Sequence, residues 1–173
     1  MTILRIPDPS LVVLIGAAGS GKSTFAARHF APAEILSSDA FRALVSGDEG
    51  DQRVSGVAFA ILHRELERRI RAGLLSVVDA TNLDRRHRHE LLRRATASGL
   101  PAVAVVLALP DAVVLSRNAA RARRVAEDVV LTHLERVAHA IDGGLEGEGY
   151  ATVWIGRTAE EVDALEIERV RPV

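Results

Sequence analysis

The sequence predicts an α/β fold, a parallel sheet of about five strands flanked by helices. Three observations predict it. Short runs of β-branched and aliphatic residues alternate with longer stretches whose apolar residues recur at helical spacing. The short runs are apolar throughout, the pattern of strands buried on both faces of a parallel sheet. No internal repeat, low-complexity tract or Gly/Ser linker divides the chain, so residues 1–173 read as one domain.

The first strand is Leu11 to Ile15 (LVVLI). A Gly-rich loop follows, then a helix through about His29. Glu34 to Leu36 is a short second strand. Ser37, Ser38 and Asp39 are start signals for a helix over Ala40 to Val45. Gly47 to Asp51 (GDEGD) is an acidic loop. Gln52 to Ala72 carries Val54, Val57, Ala58, Ile61, Leu62, Leu66 and Ile70 at helical spacing and stops at Gly73. Leu74 to Asp79 (LLSVVD) is a third strand, Leu83 to Ser98 a helix with a basic first turn, and Ala102 to Leu109 a fourth strand. Two helices follow, Asp111 to Arg121 and Val125 to Ile141, and residues 111–143 read as a helical lid. Thr152 to Ile155 is the fifth strand, with a short helix near Thr158 to Ala164. In such a fold the ligand sits at the carboxyl ends of the strands.

Composition narrows the function classes. With 173 residues, 48% of them hydrophobic, the chain can bury one substantial core. No apolar run approaches the roughly 20 residues of a membrane span, and the N-terminus lacks the pattern of a secretory signal. There is no cysteine, which excludes disulfides, thiolate metal ligands and a thiol nucleophile, and fits a reducing cytoplasm. The net charge of −1 excludes a globally basic nucleic-acid coat protein, so a polyanion site must be local. The chain holds 21 arginines and a single lysine, Lys22.

That lysine lies in GAAGSGKST, Gly16 to Thr24, which fits G-x-x-x-x-G-K-[ST] between a strand and a helix. This context makes the P-loop NTPase fold the expected one. Gly16, Gly19 and Gly21 let the backbone approach an anion closely, and the N–H groups from Ser20 to Thr24 face its phosphates. Lys22 spans the β- and γ-phosphates of ATP or another NTP, and the Ser23 hydroxyl ligates Mg²⁺.

The second strand ends in SSDAFR. Asp39 and Arg42 are three apart at a helix start, on one face. A kinase acting on an alcohol needs a carboxylate to take the hydroxyl proton and a cation near the transferring phosphoryl, and this pair supplies both. The plain alternative is a helix cap with a salt-bridge partner. The third strand ends in VVDATN, where Asp79 can hold a Mg²⁺-bound water and Asn82 can donate to a substrate phosphate. Its plain alternative is an Asp/Thr/Asn turn. Arg117, Arg121 and Arg124 stand at i, i+4 and i+7, with Arg123 beside them. On an unbroken helix they line one face and can close over phosphates; a solvated basic face is the alternative. Arg85, Arg86, His87, Arg88 and His89 can meet a nucleic-acid backbone, Arg85 first, although a solvated face suits them better because no aromatics interleave. His63, His133 and His139 match no metal spacing and read as ordinary helix residues.

Taken together, GAAGSGKST, SSDAFRALVSGDEGDQ, VVDATN and the Arg117/Arg121/Arg124 array resemble the N-terminal kinase domain of bacterial polynucleotide kinase-phosphatase, an RNA end-healing and sealing enzyme. The resemblance runs from about Leu11 to Val170, and SSDAFRALVSGDEGDQ is its most specific part. It implies transfer of the NTP γ-phosphate to a 5′-OH RNA or DNA end. Asp39 would be the general base, Arg42 would touch the acceptor hydroxyl or the transferring phosphoryl, and Lys22, Ser23, Arg117, Arg121 and Arg124 would handle the donor. It also implies a phosphatase domain, a ligase-like domain and an RNA 3′-end methyltransferase as partners. Ending at Val173, the sequence corresponds to the kinase domain alone, isolated or standing by itself. A P-loop kinase of a small-molecule hydroxyl shares the cradle, Asp39 and Asn82.

Overall fold

Leu11–Gly16 is buried along its whole length, and its neighbours on both sides decide the architecture. In the computed structural model residues 2–171 are described; Met1, Pro172 and Val173, the ends of the expected 1–173 unit, lie outside the described residues. The strands are β1 (Thr2–Pro7), β2 (Leu11–Gly16), β3 (Ile35–Ser37), β4 (Ser76–Asp79), β5 (Ala102–Leu107), β6 (Thr152–Gly156) and β7 (Leu165–Val170). The helices are α1 (Lys22–His29), α2 (Ser38–Ser46), α3 (Ser55–Arg71), α4 (Arg85–Ala97), α5 (Asp111–Ala119), α6 (Glu127–Asp142) and α7 (Ala159–Asp163).

The five expected strands form one parallel sheet in the order β3-β4-β2-β5-β6. Side chains of β2 alternate between two cores, as the period of two requires. Leu11, Val13 and Ile15 pack with Leu62 and Leu66 of α3 and Leu91 of α4. Val12 and Leu14 pack with Phe25 of α1, Val114 of α5 and Val130 of α6. Register then places the site: Asp79, the last residue of β4, pairs with Leu14 of β2 on one side and Ser37 of β3 on the other. The P-loop, the start of α2 and the VVDATN turn therefore leave the sheet at one edge.

A second sheet was not expected. β1 and β7 pair in parallel, Thr2 opposite Leu165 through Pro7 opposite Val170, and cover the second core with Leu4, Ile6 and Leu165. Each strand is short and half exposed, and its partner lies at the other end of the chain, so no local pattern names the pairing. Three expected helices are shorter at their starts, among them α6, which begins at Glu127 rather than Val125. Gln52–Val54 is a 3₁₀ turn before α3, and α4 begins at Arg85, where the Asp84 side chain accepts from Arg86 N–H. Among the described residues no helix is long and apolar enough to cross a membrane.

Arg88 departs from the basic surface face expected of it. Its guanidinium is 2% exposed and pairs with Glu148, also 2% exposed, at 2.6 Å. It donates to the carbonyl oxygens of Asn82 (3.1 Å) and Leu83 (2.8 Å) as well. Removing one partner of a buried pair leaves the other charge uncompensated, at a cost of about 3–5 kcal/mol. Arg88→Ala is accordingly expected to lower unfolding stability by about that amount in chemical denaturation, whereas Arg86→Ala on the exposed face should stay within about 0.5 kcal/mol. Equal effects would place Arg88 on the surface.

Candidate active site

The loop between β2 and α1 needs glycine at two positions. Gly19 and Gly21 hold φ of +85° and +98°. A Cβ on Gly19 would stand 3.1 Å from the Val114 carbonyl oxygen and 3.2 Å from Asn118 Cβ, so α5 packs directly on the loop. Arg117 of α5 secures this contact by donating Nη1 to the Ser20 carbonyl (3.2 Å). Beneath it Lys22 Nζ donates to Gly16 O (2.9 Å) and Ala17 O (2.8 Å). Burial pushes the Lys22 ammonium down to about 8, against the opposing pull of Asp79 and Asp39.

Ser23 Oγ donates to Asp79 Oδ2 at 2.7 Å. Burial raises the Asp79 carboxyl above its usual range, opposed by the Ser23 hydrogen bond and by Lys22. Among the described residues no group of three or more His, Asp or Glu side chains gathers as a metal cage. One hydroxyl and one carboxylate beside a phosphate cradle are instead the donor set of an ion that takes its other ligands from phosphate and water, as Mg²⁺ does. The residues present therefore fit Mg²⁺ brought with an NTP.

At the start of α2 the helix-cap alternative divides. Ser37 caps α2, its Oγ accepting from Ala40 N–H (3.3 Å), which leaves the Asp39 carboxylate free of capping. The ion pair is present: Asp39 Oδ1 accepts from Arg42 Nη2. Arg42, 7% exposed, also donates Nε to the Glu49 carbonyl (2.7 Å), so it is fixed from two sides. The Asp39 side chain is 37% exposed and faces a cleft of about 880 Å³. That cleft runs from the P-loop past Asp79 to Asp39 and Arg42, and Arg117, Arg121 and Arg123 line it as well.

Four sequence-level assignments change. The Arg117/Arg121/Arg124 stripe required an unbroken helix, but α5 ends at Ala119 and a loop carries residues 121–124. That loop brings Arg121 and Arg123 to the cleft and leaves Arg124 outside its lining. Asn82 was expected to donate to a substrate phosphate. Its Nδ2 instead donates to the carbonyls of Leu14 (2.7 Å), Val78 (3.3 Å) and Ala80 (3.3 Å), which uses both of its amide hydrogens. Its φ of +50° locks the turn after β4. Arg85 lies outside the cleft lining, 3.6 Å from Glu148 Oε1 and 3.4 Å from His89 Nε2. His133 is no ordinary helix residue, since its Nδ1 accepts from the P-loop amide of Ala18 (3.4 Å) and burial, then Lys22, lower its pKa. Its spacing from Val130 and Val137, both buried, was the available signal.

Asn118 escaped notice altogether. Nδ2 donates to Val125 O (2.8 Å) and Oδ1 accepts from Val125 N–H (3.0 Å), which staples the neck of the arginine loop. An Asn near a helix end carries no mark of such a closure in sequence.

The AAA domain family matches residues 11–142. No curated protein matches the sequence. Among solved structures the chain is similar to one in the Pnkp1/Rnl/Hen1 RNA repair complex, with a TM-score of 0.68 and 19% identity over 80% of this chain and 47% of that one. The chain thus spans about half the length of that relative. It is also similar to a gluconokinase from Sinorhizobium meliloti (TM-score 0.57, 20% identity, 91% and 87% of the two chains). A shikimate kinase from Acinetobacter baumannii gives a TM-score of 0.56 and 20% identity over 90% and 88%. At these identities the likeness establishes the fold, that of a P-loop kinase.

Two predictions rest on this geometry. Free Lys22 loses its proton as pH rises past about 8, whereas bound phosphates hold it protonated. Affinity for Mg²⁺·NTP should therefore decline above that pH, and Lys22→Met should bind weakly with no such decline; titration calorimetry across pH 6.5–9.5 checks both. For the loop, an NTP gives Arg121 and Arg117 a common anionic partner, so NTP should protect residues 120–126 from protease. Arg121→Ala should lose most of that protection and of kcat, and Arg121→Lys part of it, because an ammonium cannot copy a guanidinium fork. Wild-type behaviour in both variants would make the arginine a surface charge.

Proposed function

The chain belongs to the AAA domain family, and from that premise we propose that it is an NTP-dependent 5′-hydroxyl polynucleotide kinase, transferring the γ-phosphate to a 5′-OH end of RNA or DNA. The observation that carries the kinase part of this reading is the partly exposed Asp39 carboxylate, clamped by buried Arg42 in the same cleft as the P-loop. A nucleotide switch needs no such acceptor base. The acceptor hydroxyl gives its proton to Asp39, and its oxygen attacks the γ-phosphorus as the NDP leaves. Lys22, Arg117 and Arg121 hold the donor phosphates and offset charge on the transferring group. Ser23 and Asp79 would hold Mg²⁺, which supplies charge neutralisation on the phosphates when bound.

The arginine-rich wall supports a polyanionic acceptor over a small neutral one, since a chain of net charge −1 gathers Arg42, Arg117, Arg121 and Arg123 in one cleft. A repair system with phosphatase and ligase-like domains and an RNA 3′-end methyltransferase, in the cytoplasm, follows the same reading. The likeness to a chain in an RNA repair complex supports it. A small-molecule hydroxyl is the second reading, supported by the sugar-acid and shikimate kinases that share the fold over most of their length.

The test is γ-labelled NTP with a 5′-OH oligoribonucleotide and with the same oligomer bearing a 5′-phosphate. Label should pass only to the 5′-OH oligomer. Asp39→Ala should cut kcat by roughly 10²–10⁴-fold while NTP still binds. Unlabelled oligomers, with transfer to a small polyol instead, would reject the polynucleotide reading. Lost NTP affinity at unchanged kcat would assign Asp39 to the donor side.

A further inference from the structure

Arg123 makes contacts that catalysis, as described, does not use. It sits in the loop whose neck Asn118 closes onto Val125, and it crosses the mouth of the cleft to the acidic loop after α2. Its Nη1 lies 3.2 Å from Glu49 Oε1 and its Nη2 lies 3.7 Å from Asp39 Oδ2. Gly50 makes room for it, because a Cβ there would stand 3.2 Å from both Arg123 Cδ and Nη1. The guanidinium remains 33% exposed, and Nη1, although beside Glu49, makes no hydrogen bond of good geometry.

The consequence falls on the base. Arg42 holds Asp39 Oδ1 and Arg123 faces Oδ2. With one oxygen held by Arg42 and the other faced by Arg123, neither is open to an incoming hydroxyl. Arg42 is buried and tied to the Glu49 carbonyl, so it stays. Arg123 is the guanidinium free to leave, and an anion is what can draw it off.

We propose that Arg123 is a specificity-determining residue that reads a phosphate on the acceptor: it exchanges Asp39 and Glu49 for the phosphodiester flanking the hydroxyl-bearing nucleoside, and so uncovers the base only when that phosphate is present. This rests on the polynucleotide kinase reading. The latched form closes the acceptor end between the arginine loop and the acidic loop. An arriving strand supplies the phosphate, the guanidinium turns to it in a charge-assisted pair, and Asp39 Oδ2 faces the hydroxyl. The hydroxyl proton then passes to Asp39, its oxygen bonds to the γ-phosphorus, and the β–γ bridging P–O bond breaks to release NDP. A neutral acceptor of the same shape leaves the latch shut.

Two acceptors that differ only in this phosphate test the assignment, a nucleoside and its 3′-phosphate, each at saturating Mg²⁺·NTP. The protein should favour the phosphate-bearing acceptor in kcat/KM by about 10- to 100-fold, the worth of one charge-assisted bond. Arg123→Gln should erase most of that preference, and Arg123→Lys should restore part of it. Glu49→Gln should speed tryptic cleavage of the arginine loop in the ligand-free protein. The proposal is overturned if Arg123→Gln slows both acceptors equally, if the preference survives in it, or if Glu49→Gln leaves cleavage unchanged. A protein that phosphorylates a 5′-OH oligonucleotide but does not discriminate within the pair overturns the latch and leaves the kinase reading standing. One that phosphorylates no 5′-OH oligonucleotide overturns both.

Discussion

The Ser23–Asp79 hydrogen bond, 2.7 Å long, is the contact on which the active edge depends. It ties the first turn of α1 to the last residue of β4, and so couples the P-loop to the strand beside β3. Register makes it available: Asp79 stands opposite Leu14, two residues before the P-loop begins. A one-residue slip would turn its side chain to the other face of the sheet and leave a buried carboxylate facing hydrocarbon. The parallel pairing of β2 with β4 is therefore a functional constraint as well as a packing one.

The turn that follows Asp79 is built from polar groups inside an apolar sheet edge, and each is satisfied. Asn82 takes up three carbonyls, Arg88 takes up two more, and Glu148 neutralises Arg88. Thr81 is held in consequence, with its carbonyl accepting from Gly16 N–H at 3.2 Å. That contact reaches the first glycine of the cradle from the strand next door. Buried polar networks of this kind specify one arrangement of the chain, because any other leaves donors or charges unpaired at a cost of about 1–3 kcal/mol each.

Much of this was legible in the sequence. The five apolar runs are the five strands, since a strand buried on both faces leaves an unbroken apolar signature. The P-loop was legible because its chemistry demands glycines and a lysine at fixed spacing. Asp39 and Arg42 stood out because helical spacing fixes which residues meet. What stayed hidden depends on distant partners. The β1–β7 pair joins the two ends of the chain. Arg88 reads as one more cation in a basic run until Glu148, 60 residues on, is seen beside it. The arginine stripe misled for a local reason: its spacing fits a helix, yet Asn118 folds back on Val125 and ends the helix before Arg121.

The cleft lining carries more cations than acids. Lys22 and the cleft arginines stand within one hollow with Asp39, Asp79 and Asp163, and Glu49 reaches Arg123 from the acidic loop. Asp39 and Glu49 already meet Arg123, and Asp79 holds Ser23. Lys22 rests meanwhile on two backbone carbonyls, neutral acceptors that offset its desolvation only in part, which is why burial prevails and its pKa falls. The contacts of the ligand-free cleft are thus substitutes. On the reading proposed above, these carbonyls and carboxylates give way to phosphate oxygens when a nucleotide binds.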